Sequence, residues 1–147
     1  MANPLYTAQA TVTGGRAEGH GRTSDGKLDV QLRLPKQMDP SSDEAGTNPE
    51  QLFAIGFAAC FEGAIGVVGR REHEEVGDVS IESSVSLYPV EGGGFKLGVA
   101  LDVTLPQVAD AEKAKAIVAG AHQVCPYSNA TRGNIDVALT ANGQPIG

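Results

Sequence analysis

From Leu52 to Gly69 the chain carries one charge, Glu62, in an otherwise apolar and small-residue run. A helix without a polar face must lie inside a protein or inside lipid. Glu62 near its middle, and glycines at Gly56, Gly63, Gly66 and Gly69, argue against a membrane span. The reading is therefore a buried central helix. Its start is well marked: Asn48 can cap it, Pro49 suits the first helical position, and Gln51 follows three residues after the cap. Arg70 and Arg71 stand where cations favour a helix C-terminus. Each internal glycine costs about 1 kcal/mol relative to alanine. Close approach by another backbone is the expected return.

Around this helix the pattern is one of strands. Leu5–Thr13 alternates, with Tyr6, Ala8, Ala10 and Val12 on one side. After Gly14-Gly15-Arg16, the glycine-spaced Gly19-His20-Gly21 and the turn Ser24-Asp25-Gly26, Leu28, Val30, Leu32 and Leu34 alternate again, predicting a hairpin. Residues 35–47 are polar and aperiodic, a long surface loop of the kind that wraps a partner or covers a site. Beyond the helix, Val79–Leu87 and Phe95–Leu105 flank Gly92-Gly93-Gly94 as two further strands. Asp110–Val124 is an amphipathic helix with Ala114, Ile117, Val118, Ala121 and Cys125 on one stripe, ended by Pro126. Tyr127–Gly133 reads as a polar connection, and Ile135–Ala141 as a last strand. The order is ββ-α-ββ-α-β, an α+β chain of one domain over residues 1–147 with an antiparallel sheet on the central helix.

Net charge is −7, from 18 acidic against 11 basic residues, and no basic run exists to meet a phosphate backbone. Nucleic acid is not an expected partner. No segment pairs a basic start with an apolar core as a secretory signal does, so a cytoplasmic protein is expected. In a reducing compartment its two cysteines are expected to be free or catalytic.

Cys60 sits mid-helix between apolar neighbours, either as a small buried hydrophobe or as a thiol that needs a cation to ionise. Cys125 lies on the inward stripe of the other long helix, so packing can bring the two together as a dithiol. They are 65 residues apart, which excludes a CxxC redox motif or a zinc knuckle. Glu50 reads as a first-turn carboxylate favoured by the helix dipole, and Arg16 as a solvated charge in a glycine-flanked turn. His20, His73 and His122 have no metal-binding spacing, and Asn129-Ala130-Thr131 is a chance sequon match.

Four stretches go further. TNPEQLFA at 47–54, AACF at 58–61, HQVCPYSNATRGNIDV at 122–137 and Thr13-Gly14-Gly15-Arg16 resemble the organic hydroperoxide resistance (Ohr) branch of the OsmC/Ohr family. The element order fits over nearly the whole chain; residues 70–78 and the tail from Asn142 are its own. The resemblance implies an intertwined homodimer and a thiol peroxidase that reduces organic hydroperoxides to alcohols. It implies that Cys60 is the peroxidatic cysteine, Cys125 the resolving cysteine, and Arg16 with Glu50 the catalytic arginine and its carboxylate. It also implies no bound cofactor, with dihydrolipoamide on a lipoylated protein as the electron donor. A bidentate Glu50 contact would orient Arg16, and the guanidinium would lower the Cys60 pKa.

Glu50 and Cys60 are ten residues apart, about 15 Å along an unbroken helix. Either Glu50 projects from the helix start, or it serves the Cys60 of a second chain; the second is the expectation, through antiparallel packing about a two-fold axis. The rival readings are an OsmC-type peroxidase of broader specificity, a non-enzymatic redox sensor, and a small-molecule binding domain with structural cysteines.

Overall fold

Alternating apolar residues organise both sheets of the computed structural model, which describes residues 2–147 and divides at Leu52 into two units. In the first unit, β1 (Ala10–Thr13), β2 (Gly19–Thr23) and β3 (Asp29–Arg33) form an antiparallel sheet in the order β1-β2-β3. One helical turn, α1 (Gly15–Glu18), joins β1 to β2. The expected hairpin of two strands is thus three strands, because Gly19-His20-Gly21 is a central strand paired on both sides. Glycine is depleted in strands, so β2 carries no alternation to read. Gly21 lies opposite Val12 and Val30, whose methyl groups flank the space its side chain would take.

The turn before β3 is closed by Thr23 N–H to Leu28 O at 2.8 Å, with Gly26 at φ +72° as the turn chemistry requires. The long loop returns to β3 through Arg33 N–H to Thr47 O and Thr47 N–H to Gln31 O, both 2.9 Å. Leu32 is buried, Val30 and Leu34 are half-buried, and Leu28, Tyr6 and Val12 are exposed. The Leu28–Leu34 face expected to point inward is therefore only partly covered within this unit, whose described residues include no long helix wholly its own to lay on a three-stranded sheet.

α2 (Pro49–Arg71) begins in the first unit and continues into the second. Asn48 caps it, accepting from Gln51 N–H at 2.9 Å. The second unit adds β4 (Ser80–Pro89), β5 (Phe95–Thr104), α3 (Ala111–Val124), α4 (Pro126–Thr131), β6 (Val137–Ala141) and β7 (Gln144–Pro145). Its sheet runs β4-β5-β6-β7, antiparallel except where β6 joins β5 in parallel with Leu101 opposite Leu139. A parallel neighbour needs a long crossover, and α3 with α4 supplies it.

The core of this unit joins three surfaces. From α2 come Phe57, Phe61, Ala64, Ile65 and Val68; from α3, Ala114, Ile117, Val118 and Ala121; from the sheet, Val99, Leu101, Val103, Leu139 and Ala141. The sheet and α3 faces are those the periodicity predicts. Gly120 of α3 makes room for Val68 of α2, where a Cβ would lie 3.2 Å from a Val68 methyl. Full burial of Phe57 and Phe61 contributes about 1.5–3 kcal/mol each.

The central helix is buried on this stripe alone. Ile55, 71% exposed, and Ala59, Glu62 and Gly63 face outward, so the expected all-round burial is met on one side within the chain. The helix is long and apolar enough to cross a membrane by length and composition, but its Phe57–Val68 stripe packs in the protein core.

Candidate active site

Packing α3 on α2 brings the two thiols together. Cys60 lies half-buried on α2, and Cys125 is fully buried at the junction of α3 and α4. Their Sγ atoms are 3.5 Å apart, a thiol–thiol contact. Closing by about 1.5 Å would bring them to disulfide distance. Both are free thiols here.

The junction is built by backbone hydrogen bonds. Cys125 N–H ends α3 on Ala121 O at 2.9 Å. Cys125 then turns extended, and Pro126 opens α4 at a position where a missing N–H costs nothing. Ser128 N–H, two residues further on, donates to Cys125 Sγ at 3.5 Å. Ser128 is fully buried, and its Oγ is 2.9 Å from His122 Nδ1. Arg132 donates to His122 O at 2.5 Å and to Asn129 Oδ1 at 2.9 Å, closing α4 back on α3. Burial, then the Arg132 charge, lower the His122 pKa below its usual 6.5. Asn129 and Thr131 of the sequon are both engaged within this turn, Thr131 Oγ1 donating to Tyr127 O at 2.8 Å.

In this setting Cys60 is a poor acid. Burial pushes its thiol up, the Tyr127 N–H pulls it down, and the neighbouring Cys125 thiol pushes it up again. The thiolate is the nucleophile. To ionise near neutral pH, this thiol would need a positive charge beside it.

One wall beside Cys60 is aromatic. Phe53 and Phe57, one turn apart on α2, pack on Tyr127 with ring centroids at 5.6 and 5.7 Å, the Phe53 ring stacked and the Phe57 ring edge-on. Gly56 lies between them because a Cβ there would meet the Tyr127 hydroxyl at 3.3 Å. The sequence reading did not single out Tyr127; its place two residues after Cys125, with Gly56 framed by two phenylalanines, was the available signal.

In the first unit, Arg16 and Glu50 meet. Arg16 stands in α1 behind Gly14 and Gly15, whose φ of +79° and +71° other residues rarely adopt. Gly19 closes the turn: a Cβ there would fall 1.9 Å from Gly15 O and 2.7 Å from Thr13 O. Glu50 lies in the first turn of α2, and Arg16 Nη2 donates to its Oε1. The contact is single, where a bidentate one was expected, and it leaves Arg16 Nε buried with no hydrogen-bond partner among the described residues. His20, by contrast, pairs with Asp29 at 2.5 Å on the exposed sheet.

The sequence model of OsmC-like proteins matches residues 41–140. The chain is 51% identical to an organic hydroperoxide resistance protein of Xanthomonas axonopodis pv. citri, covering 95% of this chain and 99% of that one. It is 49% identical to the organic hydroperoxide resistance protein OhrB of Bacillus subtilis, over 92% and 96% of the two chains. Among solved structures it is similar to an organic hydroperoxide resistance protein from Legionella pneumophila, with TM-score 0.87, 49% identity, and 93% and 97% coverage. A Vibrio cholerae structure, described as having captopril bound in one of its active sites, matches with TM-score 0.90, 41% identity, and 97% and 96% coverage.

Proposed function

This chain belongs to the OsmC-like family, among its organic hydroperoxide resistance proteins, and we propose on that footing that it detoxifies organic hydroperoxides as a cysteine-based peroxidase. The observation that carries the reading is the dithiol: a half-buried Cys60 and a buried Cys125 with their sulfurs 3.5 Å apart.

The Cys60 thiolate attacks the terminal peroxide oxygen. The O–O bond breaks, the alcohol leaves with a proton, and Cys60 becomes a sulfenic acid. Cys125 attacks that sulfur, water leaves, and a Cys60–Cys125 disulfide forms. A dithiol then returns both cysteines to thiols by exchange. Dihydrolipoamide, carried on a lipoylated protein, is the reductant in this reading, and no bound cofactor is needed. The site of action is the cytoplasm, where reduced dithiols are available. The aromatic wall of Phe53, Phe57 and Tyr127 suits the alkyl or acyl tail of an organic hydroperoxide better than hydrogen peroxide.

Arg16 supplies the missing charge, and Glu50 holds it. The Arg16 side chain is 36% exposed, and the guanidinium N–H groups not used on Glu50 are the donors that in this reading meet the thiolate or the peroxide. Glu50 and Cys60 lie on one unbroken helix, about 15 Å apart along its axis. The reading therefore makes the protein a homodimer in which Arg16 and Glu50 of one chain serve Cys60 of the other. Its support is the open apolar stripe of α2, where Ile55 and Ala59 are exposed and none of the described residues lies within 4 Å of a Cβ on Gly63. A second helix could approach there closely.

The test is one equivalent of cumene hydroperoxide on the reduced protein, followed by non-reducing peptide mapping. The reading predicts one alcohol released per disulfide and a Cys60–Cys125 link within each chain. A stable sulfenic acid on Cys60 with Cys125 still free, or no oxidation, would overturn it.

A further inference from the structure

Resting on the Cys60–Cys125 disulfide of the proposed function, we infer that the reductant attacks the sulfur of Cys60 and that Cys125 is the thiolate that leaves first. A disulfide offers two sulfurs, and the surroundings of these two differ. Cys125 has no exposed surface, being enclosed by the α2–α3 core. Cys60 is half-buried and keeps a path to solvent. Attack on Cys125 would require the core to open; attack on Cys60 does not.

The leaving group points the same way. Exchange is faster when the departing sulfur is better stabilised as a thiolate. Ser128 N–H is already directed at Cys125 Sγ, 3.5 Å away. Ser128 is held in place by its buried hydroxyl on His122 Nδ1 at 2.9 Å, and its carbonyl accepts from Arg132 N–H at 2.9 Å. The donor is fixed before the charge arrives, which is what makes such stabilisation effective.

The electron balance closes. One thiolate of the dithiol forms a bond to Cys60 Sγ, the Cys60–Cys125 bond breaks, and its electron pair goes to Cys125 Sγ beside Ser128 N–H. The second thiol of the reductant then attacks its partner sulfur in the mixed disulfide. That closes the cyclic disulfide of the reductant and expels Cys60 as a thiolate. The two protons of the dithiol end on Cys60 and Cys125.

The experiment uses the whole protein, oxidised to its disulfide with diamide so that the exchange is read even if hydroperoxide fails to form that bond. A lipoamide derivative with one thiol methylated is mixed with it, and samples are quenched in acid at increasing times for peptide mapping. The expected result is the adduct on Cys60 with Cys125 as free thiol at the earliest times. An adduct on Cys125, or equal amounts on both when extrapolated to zero time, would overturn the inference. If re-closure of the disulfide keeps the adduct from accumulating, access decides. In native single-cysteine variants, 5,5′-dithiobis(2-nitrobenzoate) should label Cys60 in C125S at least about tenfold faster than Cys125 in C60S. Equal rates, or the reverse order, would refute it.

Discussion

Gly19→Ala tests the arginine turn without touching a reacting group. Gly19 has φ −101° and ψ −176°, extended backbone that alanine adopts freely, so only space forbids a side chain there. The added Cβ would fall 1.9 Å from Gly15 O, where contacts under 3.0 Å are essentially never seen. The Gly15 carbonyl must therefore retreat by about 1 Å, and a second clash, 2.7 Å to Thr13 O, blocks movement toward β1. Overpacking of this kind costs about 1–3 kcal/mol of stability. Gly15 O belongs to the peptide unit whose nitrogen is that of Arg16, so the guanidinium moves with it. A misplacement of about 1 Å in a positioning group costs about 10²-fold in rate, or about 2.7 kcal/mol of barrier. Stopped-flow oxidation of the reduced variant by cumene hydroperoxide should therefore be about 10²-fold slower than wild type. Far-ultraviolet circular dichroism should be unchanged, and dithiol reduction of the preformed disulfide should keep its rate. Wild-type oxidation kinetics in a folded Gly19→Ala protein would refute the placement of Arg16 as a requirement for the first step.

Cys60→Ser should abolish hydroperoxide consumption, while Cys125→Ser should undergo one rapid oxidation and lose recycling by dihydrolipoamide, both read by peroxide depletion over time. Arg16→Ala should shift the pH profile of Cys60 oxidation to higher pH. The burial that raises this thiol would then act unopposed by the guanidinium, so the rate deficit should be largest near neutrality and shrink in alkali. Arg16→Lys should restore it only in part, because an ammonium cannot contact Glu50 and a third group with one planar fork; a pH profile unmoved in either variant would remove Arg16 from the site. His122 has a folded-state pKa depressed below 6.5, so the unfolded chain binds the extra proton first on acidification. Stability should be unaffected above about pH 7, fall as pH drops through 6.5 toward the folded value, and level off below that. His122→Gln should flatten this part of a Tm-against-pH curve, and an unchanged slope would contradict the assignment.

How much of this was legible depends on whether a residue's role is written in a period. The α3 stripe from Ala114 to Cys125 and the inner faces of β4 and β5 lie where alternation and helical spacing put them, because burial on one face imposes the period directly. The Asn48-Pro49 start of α2 was equally plain. β2 was not, since Gly19 is there for space against Gly15 O and Gly19-His20-Gly21 carries no hydrophobic pattern. α4 was hidden because Pro126 ends one helix and opens the next, and only the Cys125 capping geometry distinguishes the two. The thiol pair showed as two inward faces, but its 3.5 Å separation comes from how α3 packs on α2. Arg16 and Glu50 are 34 residues apart and share no pattern. Composition and spacing left both as surface charges, and the family resemblance alone joined them.

We propose that this chain turns over organic hydroperoxides through the Cys60–Cys125 dithiol at the expense of a lipoyl dithiol. The direct test is steady-state consumption of cumene hydroperoxide with dihydrolipoamide in excess, compared with hydrogen peroxide and with glutathione and thioredoxin as donors. Many turnovers per chain, a higher kcat/KM for the organic peroxide, and dependence on the lipoyl dithiol are the expected result. Oxidation that stops after one equivalent per chain, whatever the donor, would contradict it and leave a redox sensor in its place.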